Sequence, residues 1–243
     1  GWVGYLGYEL KAECGGDERH LSAVPDASLL FCDRVLVFDH EERVLYAVTV
    51  GPKDQIDCAW SANLFAGFAH EDALPVLVGP SGFPFRLSRA QGQYLSDIES
   101  CLSEIHEGET YEVCLTTHLI GPPVSDPLAF YRGLREKHAV PFGAYFRADD
   151  LHLASISPER FISVSADGAV EAKPIKGTAA RGVTHEADER ARKSLAVSEK
   201  DRAENLMIVD LLRNDLGREC AIGSVSVPVL MDVESYVVHQ LVS

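Results

Sequence analysis

Four strand-like segments follow one another in FGAYFR (142–147), LHLAS (151–155), FISVS (161–165) and AVEAK (169–173). The Asp167-Gly168 pair between the last two is typical of a tight hairpin turn. Two helical segments come next, at 186–196 and 199–216, and Ser198 can cap the second of them. Because strand pairs precede helices, instead of strands and helices alternating regularly, this part of the chain predicts an α+β fold.

The chain before residue 142 shows the same mixture of elements. Strands are predicted at Leu29–Phe38 and Val44–Val50, joined by the charged turn 39–42, and again at Tyr111–Ile120. Helices are predicted at Cys58–Phe68, from a Ser88 cap to about His106 with Gly108 as the stop, and from an Asp126 cap with Pro127 as the first helical residue. The turn-rich loop Gly79–Pro84 is the predicted boundary between residues 1–84 and 85–243.

Composition excludes several classes of protein. The net charge of -15 is evidence against a nucleic-acid partner, which needs a clustered basic surface. No segment approaches the roughly 18 consecutive apolar residues of a membrane span. The six cysteines include no C-x-x-C pair, so we expect reduced thiols packed inside a cytoplasmic protein, not disulfides or a zinc site. The chain lacks an initial methionine and ends in an apolar run, so we expect a piece of a longer protein.

The 199–216 helix carries a carboxylate on an apolar face. Spacing at 100° per residue places Glu204 beside Met207, Ile208 and Leu211. A carboxylate in that position needs a partner. Two interpretations remain open: a salt bridge with Lys200 or Arg202, or a ligand of Mg²⁺, which prefers hard carboxylate oxygens.

Three further positions carry reactive groups. In SPERF (157–161), Arg160 either neutralises Glu159 or leaves it as a general acid or base. Lys176, in PIKGT (174–178), is either a solvated surface charge or a group that attacks carbon or moves protons. His239 lies in an apolar run and is either a hydrogen-bonded core residue or a functional one.

SPERF, PIKGT and DRAENLMIVDLLRND (201–215), in this order, resemble motifs of the chorismate-utilising enzymes, and the segments 111–117 and 234–243 fit the same pattern. That family includes anthranilate synthase component I, aminodeoxychorismate synthase component I, isochorismate synthase and salicylate synthase. The resemblance implies the family's fold of mixed and antiparallel sheets flanked by helices. Residues 1–84 then belong to its amino-terminal part, and 85–243 to an incomplete chorismate-binding catalytic domain.

The resemblance also implies roles for single residues. Anthranilate synthases have alanine where this chain has Lys176, so PIKGT resembles the aminodeoxychorismate synthase form, in which the lysine attacks C2 of chorismate. Glu159 matches an acid–base glutamate, Glu204 a glutamate that helps to hold Mg²⁺, and His239 an active-site histidine. Gly177 and Thr178 are the expected substrate contacts.

The family pattern implies partners and leaves alternatives. Ammonia would come from a glutamine amidotransferase, either a separate subunit or a fused domain. Family members continue into a glycine-rich G-x-x-T-G-A-P-K segment and a further magnesium glutamate, so we expect residues 1–243 alone to be inactive. The alternatives are anthranilate, isochorismate or salicylate synthesis, or a non-catalytic piece that docks a glutaminase.

Overall fold

The computed structural model describes residues 1–52, 56, 59–67 and 84–243. The strands are β1 Trp2–Leu6, β2 Ala27–Phe31, β3 Arg34–Asp39, β4 Val44–Thr49, β5 Arg86–Leu87, β6 Leu119–Ile120, β7 Phe142–Ala148, β8 Leu151–Ser157, β9 Ser163–Val164, β10 Val170–Glu171, β11 Ile175–Ala180, β12 Asp232–Ser235 and β13 Val238–Val242. The helices are α1 Ala59–Gly67, α2 Gln91–Glu107, α3 Pro127–Lys137, α4 His185–Val197 and α5 Glu199–Glu219, with a 3₁₀ helix at Tyr8–Cys14. This mixture confirms the α+β prediction.

The chain divides into two compact units, one formed by Gly1–Asp72 with Leu134–Ser243 and the other by Ala73–Gly133. The predicted boundary loop lies outside the described residues apart from Pro84, and the division into 1–84 and 85–243 stays a prediction. Among the described residues, no helix combines the length and the apolar character needed to cross a membrane.

The larger unit contains an antiparallel sheet of order β11-β13-β12. Facing residues in neighbouring strands point to the same side of a sheet. One side therefore carries His239 with Ala179 and Ser235, its partners in register. That side packs against α4 and α5, and its core contains three buried residues, Leu195, Val233 and Leu241.

Two capped helices cover this sheet. The Thr184 hydroxyl accepts a hydrogen bond from the Ala187 amide at the start of α4, at 3.2 Å. The Ser198 hydroxyl accepts from the Asp201 amide at the start of α5, at 3.4 Å, which confirms the predicted cap. Satisfying these amides fixes where each helix begins, and therefore which residues its first turn presents to the sheet.

Several strand predictions need correction. The segment predicted as one strand, 29–38, forms two: β2 pairs with β1, and β3 pairs with β4. The Cys32 amide bonds to the Gly1 carbonyl at 2.7 Å and so continues the pairing with β1, and a new hairpin starts at Arg34. Of the predicted strand 111–120, only 119–120 is extended in a ladder, where β6 pairs with β5.

Ser88 is not the cap of α2. Its hydroxyl accepts from the His118 amide at 3.0 Å, and α2 begins after Ala90 without a side-chain cap. The other ends follow prediction: Gly108 ends α2 in the left-handed conformation, and the Asp126 carboxylate caps α3 through the Ala129 amide at 2.9 Å. For the predicted helix 58–68, residues 59–67 are helical, and Cys58 and Phe68 lie outside the described residues.

The cysteine interpretation is confirmed only in part. The five described cysteines are free thiols. Cys14 and Cys114 are exposed, so the prediction that they pack in the interior is wrong. Cys58 lies outside the described residues.

Candidate active site

Lys176 lies in an irregular part of β11. Ile175 pairs with Val242 and Thr178 with Gln240, so β11 uses three residue steps where β13 uses two. The extra residue makes a β-bulge, which changes the direction of a side chain in the middle of a ladder. Gly177 completes the bulge with a φ of 80°, a left-handed conformation that favours glycine. Lys176 itself is half-buried.

Glu159 is fixed beside this bulge. Its carboxylate oxygen Oε1 accepts a hydrogen bond from the Ile175 amide at 2.9 Å, across 16 residues of sequence. Ser157 holds the same turn, because its hydroxyl donates to the Glu159 carbonyl at 2.9 Å. Arg160 pairs with Glu171 at 2.7 Å, so the interpretation in which Arg160 neutralises Glu159 is wrong. The exposed Glu159 carboxylate therefore lies against Ile175, the residue immediately before Lys176.

Asp201 approaches the bulge from the helix layer. A methyl group built on Gly177 would lie 2.7 Å from Asp201 Cβ and 2.9 Å from its Oδ1. The first turn of α5 therefore rests directly on the backbone that follows Lys176. Thr178, the next residue, is exposed and lies in register with Gln240.

Glu204 lies one turn after Asp201 on α5. It forms an i,i+4 ion pair with Lys200 at 3.6 Å, and 37% of its side chain is exposed. The salt-bridge interpretation is therefore confirmed for Lys200. The buried face of α5 is centred on Asn205 and Val209, one residue from the predicted face.

The sequence pattern predicted the wrong buried face of α5 because the centre of the observed face is polar. The Asn205 side chain donates to the Leu241 carbonyl at 3.4 Å and accepts from the Ser243 hydroxyl. A pattern of apolar residues cannot reveal a buried amide that bonds to a strand.

Glu204 is the predicted ligand of Mg²⁺. Within the described ranges, no group of three or more His, Cys, Asp or Glu side chains is arranged to hold a metal ion. Mg²⁺ is often held by one or two carboxylates together with substrate and water. Glu204 fits that requirement as a single, partly exposed carboxylate ligand, with its ion pair to Lys200 long enough to be exchanged.

His239 is 1% exposed, on the helix-covered side of the sheet. Its Nε2 lies 3.0 Å from Asp188 Oδ1 and its Nδ1 lies 2.8 Å from the Ser235 hydroxyl. Arg181 donates to both oxygens of Asp188, at 2.8 and 2.7 Å, and the Gly182 amide adds a third bond. The Arg181 guanidinium, followed by the Gly182 amide, holds the pKa of Asp188 well below its ordinary value. His239 is therefore a buried side chain whose two ring nitrogens are both hydrogen-bonded, and it links Asp188 on α4 to Ser235 on β12.

A second charged cluster lies where β10 leads into β11. Lys173 Nζ contacts Glu234 Oε1 at 2.6 Å, and the Tyr236 hydroxyl donates to Glu234 Oε2 at 2.8 Å. The Lys173 ammonium lowers the pKa of Glu234, and the Glu234 carboxylate raises the pKa of Tyr236. Lys173 is thus committed to Glu234.

A cavity of about 920 Å³ lies between the β9–β10 hairpin, the end of α5 and residues 224–229. Lys173 and Glu234 line it, whereas Lys176, Glu159, Glu204 and His239 do not. Lys176 and Glu159 therefore lie at the bulge, Glu204 lies near the start of α5 and His239 lies under α4, and none of the four lines this cavity.

Three residues of this arrangement were not predicted: Asp201, Arg181 and Asp188. Asp201 could have been suspected, because a carboxylate three residues after the Ser198 cap faces the same side as Glu204. The Arg181–Asp188 pair spans a turn of irregular backbone, and neither periodicity nor spacing signals such a contact.

Comparison with known proteins places the chain among relatives. A family model described as "chorismate binding enzyme" matches residues 1–243. Over 100% of the chain, identity is 46% to the aminodeoxychorismate synthase of Streptomyces griseus and 44% to the chloroplastic one of Arabidopsis thaliana, covering 35% and 28% of their lengths. Identity to anthranilate synthase component 1 of Geobacillus stearothermophilus is 31%, over 98% of the chain and 52% of that protein.

The fold also matches a solved structure. Anthranilate synthase component I of Streptococcus pneumoniae TIGR4 superposes with a TM-score of 0.82 at 25% identity, over 100% of this chain and 56% of that one. The chain thus spans about a third of the length of these two aminodeoxychorismate synthases, and about half of the length of the aminodeoxychorismate synthase component 1 and anthranilate synthase component 1 relatives.

Proposed function

Because the chain belongs to the chorismate-binding enzymes, we propose that it carries part of the active site of an aminodeoxychorismate synthase, which converts chorismate and ammonia to 4-amino-4-deoxychorismate. The observation that supports this function most directly is the position of Lys176. It lies in the bulge, next to Ile175, whose amide is bonded to the Glu159 carboxylate. The higher identity to aminodeoxychorismate synthases than to an anthranilate synthase favours the same reaction.

Lys176 would act as the nucleophile. Its neutral amine attacks C2 of the chorismate ring, the two conjugated ring double bonds each move one position toward C4, and the C4–oxygen bond breaks. Glu159 donates a proton to the departing oxygen, so that water leaves and a covalent lysine adduct remains. Ammonia then adds at C4, both double bonds move back, the bond to the lysine nitrogen breaks, and the Glu159 carboxylate takes back a proton from the new ammonium group. Two steps through an adduct replace the direct displacement of a poor leaving group.

Glu204 would supply one carboxylate ligand to Mg²⁺, and the bound ion would neutralise the ring carboxylate of the substrate. Gly177 and Thr178 follow the nucleophile and would contact the substrate. His239 stays a proposed active-site residue by resemblance alone. To touch the substrate, one of its ring nitrogens must first leave Asp188 or Ser235.

We further propose that a glutamine amidotransferase supplies the ammonia, as a separate subunit or a fused domain. Some relatives carry the name "component 1", which implies a second component in those proteins. The product would feed p-aminobenzoate synthesis for folate or a related aromatic amine, in the cytoplasm.

The test uses the full-length protein that contains this chain, supplied with chorismate and ammonia. We expect 4-amino-4-deoxychorismate as the product, and we expect Lys176→Ala to lose or divert the amination, by at least about 10²-fold. Lys193→Ala, an exposed lysine on α4, is the matched control and should retain activity. Formation of anthranilate, isochorismate or salicylate would refute the proposed reaction, and unchanged turnover by Lys176→Ala would refute the nucleophile.

A further inference from the structure

Asp201 lies against the residue that follows Lys176, and nothing in the motif pattern accounts for this contact. All three nearest neighbours of a methyl group placed on Gly177 are atoms of the Asp201 side chain, between 2.7 and 2.9 Å away. Distances this short leave no room for a side chain at position 177. Gly177 thus serves two requirements, the left-handed φ of 80° and the close approach of Asp201.

The Asp201 carboxylate is itself fixed. The Ser198 hydroxyl donates to its Oδ2 at 2.5 Å, and the Asp201 amide donates back to the Ser198 oxygen. This reciprocal pair anchors the side chain to the first turn of α5, and α5 packs along β11. The oxygen that Ser198 does not use, Oδ1, faces Gly177.

The other side of Lys176 is held as well, because the Ile175 amide is bonded to Glu159. The backbone is therefore restrained by a carboxylate before the lysine and by another after it. A bulge sets the direction of a side chain through the backbone angles of its residues, so fixing both neighbours fixes the direction of Lys176.

We propose that Asp201 is a positioning residue for Lys176: by supporting the Gly177 backbone, it sets the direction in which the amine points. The expected effect on catalysis rests on the proposed function, whereas the expected effect on the direction of the Lys176 side chain does not. Shape matters here more than charge, because the Asp201 side chain occupies the space that a side chain at position 177 would need.

The competing explanation is that Asp201 only supports the capping of α5 by Ser198. A cap affects the stability of its helix, whereas a positioning residue also affects the reactivity of the group it positions. Thr184 is the matched control, since it caps α4 through the Ala187 amide. Thr184→Ala should lower thermal stability without changing the acylation rate of Lys176.

The experiment measures the acylation rate of Lys176 by acetic anhydride in the full-length protein, using mass spectrometry and Lys193 as the internal reference. We expect Asp201→Gly to change the Lys176 to Lys193 ratio by at least about threefold, and Asp201→Asn, which keeps the shape, to restore it. In the amination assay, Asp201→Gly should lower kcat by about 10-fold to 10²-fold with little change in KM, because a small displacement of a reacting group is costly.

Gly177→Ala provides the reciprocal test. It should alter the acylation ratio and lower kcat, and adding Asp201→Gly should recover part of the loss because the clash is removed. An acylation ratio that stays unchanged in Asp201→Gly, with only the stability loss seen in Thr184→Ala, would overturn the proposal. Failure of the unmodified protein to make aminodeoxychorismate would refute the proposed function alone, since the acylation ratio does not depend on turnover.

Discussion

At the scale of single residues, Glu159 combines a structural contact with a proposed chemical task. One of its oxygens accepts the Ile175 amide and so holds the backbone before Lys176, while its side chain remains exposed. The hydrogen bond requires only an acceptor oxygen, whereas proton donation requires an ionisable group. The two tasks can therefore be separated by substitution.

We expect Glu159→Gln to keep the bond to Ile175, because an amide oxygen also accepts, and to lose about 10²-fold to 10⁴-fold in amination because it cannot transfer a proton. Glu159→Ala should lose both and should also change the acylation rate of Lys176. Kinetics and acylation of both variants provide the check. Equal turnover by Glu159→Gln and the unmodified protein would exclude the acid–base role.

Sequence reasoning reached some of these residues and not others, for physical reasons. Lys176, Glu159 and Glu204 carry ionisable groups in motifs, and the structure gathers the first two at the bulge. Asp201 was not predicted, because its contact with Gly177 depends on how a helix docks on a strand. Docking of that kind is set by tertiary packing, to which local spacing is insensitive.

At the scale of elements, the sheet and α4 are joined by a chain of polar contacts. Arg181 follows β11, Asp188 belongs to α4, His239 to β13 and Ser235 to β12. Since an ionised Asp188 can only accept, Nε2 of His239 must carry a proton. Buried polar groups satisfied in this way hold one arrangement of the elements and penalise others.

We expect Asp188→Asn to lower the melting temperature at pH 7 by several degrees. A carboxyl whose pKa is depressed by folding stabilises the fold above its unfolded pKa of about 4, and this stability is lost as the pH falls below that value. Arg181 depresses the pKa of Asp188 in this sense. The melting temperature of the variant should therefore change less between pH 5 and pH 2 than that of the unmodified protein.

Asp210→Asn is the control for that comparison, because Asp210 is 79% exposed and its contact with Arg213 is 3.3 Å. Thermal unfolding followed across this pH range checks both variants. If Asp188→Asn matched Asp210→Asn at every pH, the buried chain of contacts would contribute nothing to stability.

Elements with complete local signals were predicted well. Each of these signals lies within one turn of the helix end that it fixes, so the neighbouring sequence determines it. They are the caps at Ser198 and Asp126, where helices begin, and the stop at Gly108, where a helix ends. The segment 29–38 was misread because the partner of its first part, β1, is remote in sequence. The segment 111–118 was misread because no strand pairs with it within the part of the chain that the structure describes.

At the scale of the whole molecule, large apolar side chains lie exposed on several of the described elements. Trp2 is 68% exposed, Phe38 is 58% exposed and Phe161 is 83% exposed. Because the chain covers only 28% and 35% of the length of two aminodeoxychorismate synthase relatives, we expect other parts of the full-length protein to bury some of these side chains.

Residues 1–243 on their own should unfold with weak dependence on denaturant. The denaturant slope m scales with the surface exposed on unfolding, and apolar side chains that are already exposed in the folded chain add little to that surface. We also expect negligible amination from this segment alone. Urea titration and a chorismate assay test these expectations, and a slope equal to that of a compact protein, or normal turnover, would contradict them.

The bulge in β11 has one more consequence. Along a regular strand, inward and outward positions alternate, so changing one residue disturbs the packing of a fixed face. The extra residue releases position 176 from that alternation, and the core residues Leu241 and Val233 lie on β13 and β12. A substitution at 176 can therefore replace one chemical group by another while leaving the hydrophobic interior intact. This independence would allow the reaction to change through a single side chain while the sheet keeps its fold.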